Sequence, residues 1–228
     1  MKTRLVLVVS AVMALRAGAA AAQQSDPARR LPELVEELFV AETVYPQREG
    51  RIQLTAQERL RHGVDGRYLA EYGLTSRLQI ALTASAAGWE GEDAWAFEPE
   101  VLYALLPYRS PLAVSVAFGA EIGAGEGPRW EPTLIAARQV GRVQIHASLA
   151  AELARGERSL SESAAVVVDA GMFAPTLEGV WSEEEEPLLV PGLFAHLGRG
   201  FEVGVGEVLC ASCAAPERGT HLMFTYEF

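Results

Sequence analysis

The sequence predicts an all-β fold: an antiparallel transmembrane β-barrel of about twelve strands with a short N-terminal periplasmic helix. Three observations lead there. After Gly50 most of the chain alternates polar with apolar residues, the period of a strand with one wet face and one apolar face. The connections between these runs are by turns very short and longer. The last ten residues, GTHLMFTYEF, place Leu222, Phe224, Tyr226 and Phe228 on one face and His221, Thr225 and Glu227 on the other, with Met223 the exception.

The elements follow in order. Met1 to Ala22 carries Lys2 and Arg4, the apolar run Leu5 to Leu15, and Ala20-Ala21-Ala22 before Gln23. A charged start, an apolar middle and a small-residue end define a secretory signal peptide, so residues 1–22 are expected to be removed on export. The apolar run falls well short of the ~20 residues of a spanning helix, and Arg16 follows it directly. Residues 23–49 form the expected N-terminal periplasmic segment. Within it Leu34, Val35, Leu38 and Phe39 recur at helical spacing while Glu33, Glu36 and Glu37 point elsewhere, so Leu31 to Glu42 reads as a short amphipathic helix. Tyr45-Pro46-Gln47-Arg48-Glu49-Gly50 breaks that pattern.

Residues 50–228 are the expected barrel. Arg51, Gln53, Thr55, Gln57, Arg59 and Arg61 alternate with Ile52, Leu54, Ala56 and Leu60, Glu58 being out of step. Arg77, Gln79, Thr83 and Ser85 alternate with Leu78, Ile80, Leu82 and Ala84; Arg142, Gln144, His146, Ser148 and Glu152 alternate with Val143, Ile145, Leu149 and Leu153. Similar runs lie at 66–72, 96–106, 111–122, 129–139, 160–171, 175–183, 187–197 and 201–209. With the terminal strand they make about twelve, an even number as single-chain bacterial barrels require. Short turns at 73–75, 107–110, 140–141, 172–174 and 198–199 separate mostly longer loops at 87–95, 123–128, 154–158, 183–186 and 210–218. A soluble two-sheet sandwich would also alternate, but it needs neither the signal, the even count nor the terminal aromatic.

Without residues 1–22 the chain keeps 16 basic against 30 acidic residues, a net charge of −14, which excludes the basic face that a nucleic-acid partner requires. The 21 glycines fall largely inside strands, where they weaken an ordinary sheet but make room at a bend or in a barrel lumen.

Two resemblances attach to these residues. The terminal strand with Phe224, Tyr226 and Phe228 resembles the closing strand of bacterial outer-membrane barrels, which implies that these aromatics serve as an assembly signal. The runs VYPQREGRIQLT (Val44 to Thr55) and AEYGLTSRLQIAL (Ala70 to Leu82) resemble the meta-pathway phenol-degradation type of outer-membrane protein, often labelled "transporter". Gly50 stands where that family opens its first strand, Tyr72-Gly73-Leu74-Thr75 matches its turn, and GRGFEVGVGEVL (Gly198 to Leu209) is in the same style. The resemblance implies a monomeric outer-membrane barrel passing small hydrophobic or aromatic molecules, with no catalytic residues to carry over.

Several residue groups invite chemistry. His146 and Ser148, with Glu152 on the same face, have the residue types of a hydrolytic pair. They lie on the polar face, however, whereas a lipid-acting site must face the bilayer, so they are expected to line the lumen. Cys210 and Cys213 lack the histidine of a haem site and the second pair of a zinc site, and are expected to form a local disulfide in an outer loop. Glu183 to Glu186 is expected to keep a loop tip solvated. On the lumen face Arg51, Arg59, Arg61, Arg67, Arg77 and Arg142 oppose Glu98, Glu100, Glu121, Glu131, Asp169, Glu178 and Glu202. Such walls either set a transverse field in a water path or pair across the bore and plug it. Small inward residues, among them Ala81, Ala113, Ser115, Ala117, Gly119, Ala165, Gly204 and Gly206, argue for some open volume.

The expected function is therefore a narrow channel or facilitator for small molecules, aromatic or hydrophobic ones included. The alternatives are a non-conducting structural or adhesion barrel and, third, a lipid-modifying enzyme. No cofactor and no metal site are expected. The expected partners are outer-membrane lipid and lipopolysaccharide, the barrel-assembly machinery and a small solute, with no nucleic acid and a monomeric state. The expected location is the outer membrane of a Gram-negative-type bacterium.

Overall fold

The computed structural model describes residues 34–35, 37–60, 64–87, 94–106, 112–123, 127–183, 186–210 and 219–228. Strand elements follow in the order β1 (Ile52–Leu60), β2 (Val64–Thr75), β3 (Leu78–Ala87), β4 (Ala94–Ala104), β5 (Leu112–Gly123), β6 (Arg129–Val140), β7 (Val143–Ala154), β8 (Glu157–Val168), β9 (Phe173–Ser182), β10 (Leu188–Gly198), β11 (Phe201–Glu207), β12 (Leu209–Cys210) and β13 (Thr220–Glu227). β11 and β12 are two pieces of one barrel strand, interrupted at Val208, because both run along β10: Gly206 opposes Gly192 and Leu209 opposes Leu189. The barrel thus has twelve strands, each antiparallel to its neighbours. It closes through β13, which pairs with β11 on one side and β1 on the other: Tyr226 opposes both Phe201 and Leu54.

Alternation sets the two faces. Leu54, Tyr68, Leu82, Phe97, Phe118, Leu134, Leu177 and Phe224 are exposed on the outside, while Gln53, Thr83, Ser115, Gln144 and Thr225 are buried inside. A closed barrel with an apolar exterior and polar interior is the form in which strands satisfy their backbone groups in a bilayer. Aromatic residues gather toward the two ends of the outer face. Trp95 stacks with Tyr68 and Phe97, and Phe118 with Trp130, on the longer-loop side; Tyr226 packs against Phe201 and Phe228 on the short-turn side. Such belts match the headgroup levels of a membrane. Glu58, out of step on the outer face, receives the Tyr68 hydroxyl at 2.8 Å.

Two expectations change. The stretch 154–158 is no longer loop but a tight turn, Arg155-Gly156 between β7 and β8, with Gly156 at φ +83. The helix expected over Leu31 to Glu42 falls partly outside the described residues; the described part, 34–35 and 37–42, is not helical. Nor does this part lie on the periplasmic side. Leu38, Phe39 and Val44 are at most 2% exposed because they run inside the barrel. The helical spacing arises because an irregular segment with lumen wall around it buries apolar side chains in more than one direction.

Phe228 closes the seam between the last strand and the first. Its N–H donates to the Ile52 carbonyl at 2.9 Å and its carbonyl accepts from the Ile52 N–H at 3.1 Å. Deleting Phe228 removes both bonds, each worth about 1 kcal/mol net, and the stacked Tyr226 contact. The expected outcome is a lower yield of heat-modifiable barrel on gel electrophoresis; an unchanged yield would show that the seam does not depend on it.

Candidate functional site

The lumen holds the chain's own N-terminal segment and, beside it, an acidic cavity. The segment runs from Leu34, a member of the apolar cluster that also holds Val208, to Gln47 at the short-turn end, and turns into β1. Its backbone has no strand to pair with, so the wall supplies partners. The Glu178 carboxylate on β9 accepts three consecutive backbone N–H groups, from Phe39 at 3.1 Å, Val40 at 2.9 Å and Ala41 at 3.1 Å. Successive N–H groups converging on one anion form a nest. Gln57 donates to the Phe39 carbonyl at 2.9 Å, Ser115 to the Val44 carbonyl at 2.6 Å, and the Gln47 N–H donates to Gln79 at 2.6 Å.

Side chains lock the same path. Phe39 stacks on Phe194 with ring centroids 4.6 Å apart and meets His221 edge-on at 5.9 Å. A Cβ at Gly192, Gly204 or Gly206 would stand 2.5, 2.9 or 3.0 Å from the Phe39 ring, so the absence of side chains there makes its seat. Val167, Val190, Phe194 and Met223 complete an apolar cluster around Leu38 and Phe39. Lower down, Val44 and Tyr45 pack with Leu102, Ala113, Ala117, Ile135 and Ala137. Gln144 donates to the Tyr45 hydroxyl at 2.9 Å. At the exit, Gln47 donates to Gln53 at 2.6 Å, Gln53 donates to Glu71 at 2.7 Å, and Gln79 donates to the other Glu71 oxygen. Gly50 then donates to the Gly73 carbonyl at 2.8 Å, and a Cβ on Gly73 would collide with the Gln47 and Arg48 carbonyls. The glycines that carry the family resemblance therefore pass the segment out of the lumen.

The small inward residues thus provide volume that is largely filled. Ser115, Ala113, Ala117, Ala165, Gly204 and Gly206 contact the segment or the clusters around it. A cavity of about 120 Å³ lies beside the segment, against β2, β3, β4 and β6. Six carboxylates line it, Glu37 and Glu42 from the segment and Glu71, Glu98, Glu100 and Glu131 from the wall, against the single guanidinium of Arg67. That is a formal excess of five negative charges. Arg67 interacts electrostatically with Glu37, Glu42, Glu98 and Glu100. Gly119 leaves space for the Glu98 carboxylate, whose oxygen would lie 2.8 Å from a Cβ there.

The residues singled out from sequence fall into three places. Glu98 and Glu100 line the cavity, and His146, Glu178 and Glu202 are buried in the lumen. Arg59 and Glu121 sit near the longer-loop ends of β1 and β5. Arg51, Arg77, Arg142 and Asp169 belong to the short-turn rim instead of the wall, since β1 starts at Ile52, β3 at Leu78, β7 at Val143, and β8 ends at Val168. Arg51 lies 3.5 Å from Glu227, and Asp169 accepts the Gly171 N–H at 2.9 Å. Glu202 contacts His196 Nδ1 at 2.8 Å. His146 bonds Gln144 at 3.1 Å and Ser148 bonds Ser163 at 2.6 Å, so neither ring nor hydroxyl is engaged with the other. Phe224, Tyr226 and Phe228 are exposed on the outer face. Cys210 is held in a disulfide; Cys213 lies outside the described residues.

No protein-family model matches the chain, and no curated protein matches it in sequence. Solved structures do match in fold. A KdgM porin superposes with a TM-score of 0.63 at 10% identity, covering 77% of this chain and 98% of that one, as does the same porin in complex with disordered oligogalacturonate. A NanC porin superposes with a TM-score of 0.57 at 9% identity, covering 78% of this chain and 98% of that one. The fold is that of the outer-membrane β-barrels.

The Glu178 nest generates a direct test. Glu178→Ala removes an anionic acceptor, each such bond being worth about 1.5–3 kcal/mol. Hydrogen exchange of the refolded protein should then show the Phe39, Val40 and Ala41 amides exchanging at least about tenfold faster, with the strand amides little changed. Equal protection in the variant would show that the apolar seat alone holds the segment.

Proposed function

We propose that the protein is an outer-membrane channel for small solutes, narrowed by its own N-terminal segment and favouring cations. The acidic cavity carries this reading: beside the segment, it is lined by six carboxylates and one guanidinium. A low-dielectric wall focuses that field into the bore, attracting cations and repelling anions. The related fold captured with oligogalacturonate met an acidic sugar chain; the present lining is arranged against such a solute. The resemblance to phenol-pathway barrels points to aromatic or hydrophobic solutes, whereas this lining favours charged and polar ones.

A second reading, the non-conducting structural barrel, is favoured by the close seating of Phe39 among Phe194, Gly192, Gly204 and Gly206. Planar-bilayer recordings separate the two. The wild-type chain should give a small, cation-preferring, salt-sensitive conductance. Phe39→Ala, which removes a buried ring worth about 3–5 kcal/mol of packing, should enlarge it. Combining Glu98→Gln with Glu100→Gln should move the reversal potential toward anions. Silence in both wild type and Phe39→Ala would establish the plugged barrel; anion preference in the wild type would overturn the charge argument.

A further inference from the structure

The segment is tied to the wall by one carboxylate that has no counter-charge. Glu178 is 0% exposed, and among the described residues no cation pairs with it. Both of its oxygens are in use: Oε1 accepts the Phe39 N–H, and Oε2 accepts those of Val40 and Ala41. Its neighbours across the ladder are Ala165 on β8 and Val190 on β10, whose side chains are apolar. Gln57, Ser115 and Gln79, which also bond the segment's backbone, are neutral and do not titrate.

Such a seat suits its carboxyl group only while that group is ionised. A proton on either oxygen removes the charge that strengthens all three bonds and adds an O–H donor. The Ala165 and Val190 side chains offer that donor no acceptor, and a buried polar group without a partner is costly. The seat is therefore complete where Glu178 is ionised and weakens as pH falls through its titration. The exit behaves differently. There the Gly50 N–H donates to the Gly73 carbonyl at 2.8 Å, a backbone contact that no proton alters. That end stays pinned when the middle of the segment lets go.

We propose that Glu178 is a pH-sensitive latch: ionised, it holds Phe39 to Ala41 against β9; protonated, it releases them, and the segment swings from its hinge at the Gly50 exit. Other titratable groups also face the segment. His221 meets the Phe39 ring, His146 lies beside Tyr45 and the Glu42 backbone, and the Glu202–His196 pair bridges β11 and β10. Across the cavity, Glu71, Glu98, Glu100, Glu131 and Arg67 stand around Glu37 and Glu42. Protonating those carboxyls lowers the like charge between segment and wall, which seats the segment more firmly and opposes release. That release widens a solute path rests on the channel reading; the latch itself does not.

The test is amide hydrogen exchange of the full-length barrel refolded in detergent, followed between about pH 8 and about pH 4, where protein carboxyls titrate. Each rate is expressed as protection relative to unstructured chain at the same pH. On acidification the protection of Phe39, Val40 and Ala41 should fall in one step by at least about tenfold, the size of one lost charge-assisted hydrogen bond. Gly50 and the β7 amides should keep theirs. In Glu178→Gln, neutral and of the same shape, protection should be low at every pH and the step absent. His221→Gln and His146→Gln should each keep the step. Heat-modifiability on gels at each pH verifies that the barrel is folded. Where Glu178→Gln does not fold, the wild-type protein still decides: no step at these three amides, or a step shared with Gly50 and β7, overturns the proposal. A step that survives Glu178→Gln, or that either histidine variant removes, overturns it as well. Planar-bilayer recordings separate latch from channel. A step without conductance at any pH sinks the channel and leaves the latch standing; conductance without a step sinks the latch alone.

Discussion

The structure turns on an irregular backbone enclosed at membrane depth. Segment 37–47 has no strand partner, and an unpaired buried peptide group is costly. The wall meets this requirement at separate heights. Glu178 collects three N–H groups in the middle, Gln57 reaches the Phe39 carbonyl, Ser115 reaches the Val44 carbonyl, and Gln79 takes the Gln47 N–H. Much of the remaining interior follows from this. The glycines of β10 and β11 recess the wall for Phe39, alanines of β5 and β6 recess it for Val44 and Tyr45, and the acidic cavity is the space the segment leaves beside β2 to β4.

The barrel was readable in the sequence because its faces obey a period of two over long runs. The order of short turns and longer connections has two departures: Arg155-Gly156, where β7 and β8 continue as strand up to a tight turn, and the link between β4 and β5, which opens at Ala104 and closes at Leu112, wider than the short turn expected at 107–110. Inward placement of His146, Ser148 and Glu178 also follows from that period. The rim position of Arg77, Arg142 and Asp169 was harder to read, because alternation continues through a turn without marking where the ladder ends.

The occupant of the lumen was hidden by its own spacing. Leu34, Val35, Leu38 and Phe39 fit a helical stripe, yet the described residues there form none. A signal was nevertheless present on the opposite wall. Val167, Val190, Phe194 and Met223 are inward-facing and apolar, which a water-filled bore would not require. Met223, the exception in the alternation of the final strand, packs in the cluster that receives Phe39. The glycines of β10 and β11 carried the same message: space inside a barrel wall is as well suited to a ring from the same chain as to solvent.

The exit of the segment has one more consequence. Only Arg48 and Glu49 separate Gln47, its last contact with the lumen wall, from Gly50, which is bonded to Gly73 at the start of the barrel. The segment is therefore on a very short leash. Its local concentration at its own seat is set by that leash and falls in the millimolar range or above for tethers of this kind. Any departure and return would be intramolecular, independent of how much protein the membrane holds, and a contact that would be feeble between separate molecules suffices to hold the segment in its seat. A soluble competitor would have to work against that built-in advantage, whereas anything that strains the leash acts on the bore directly.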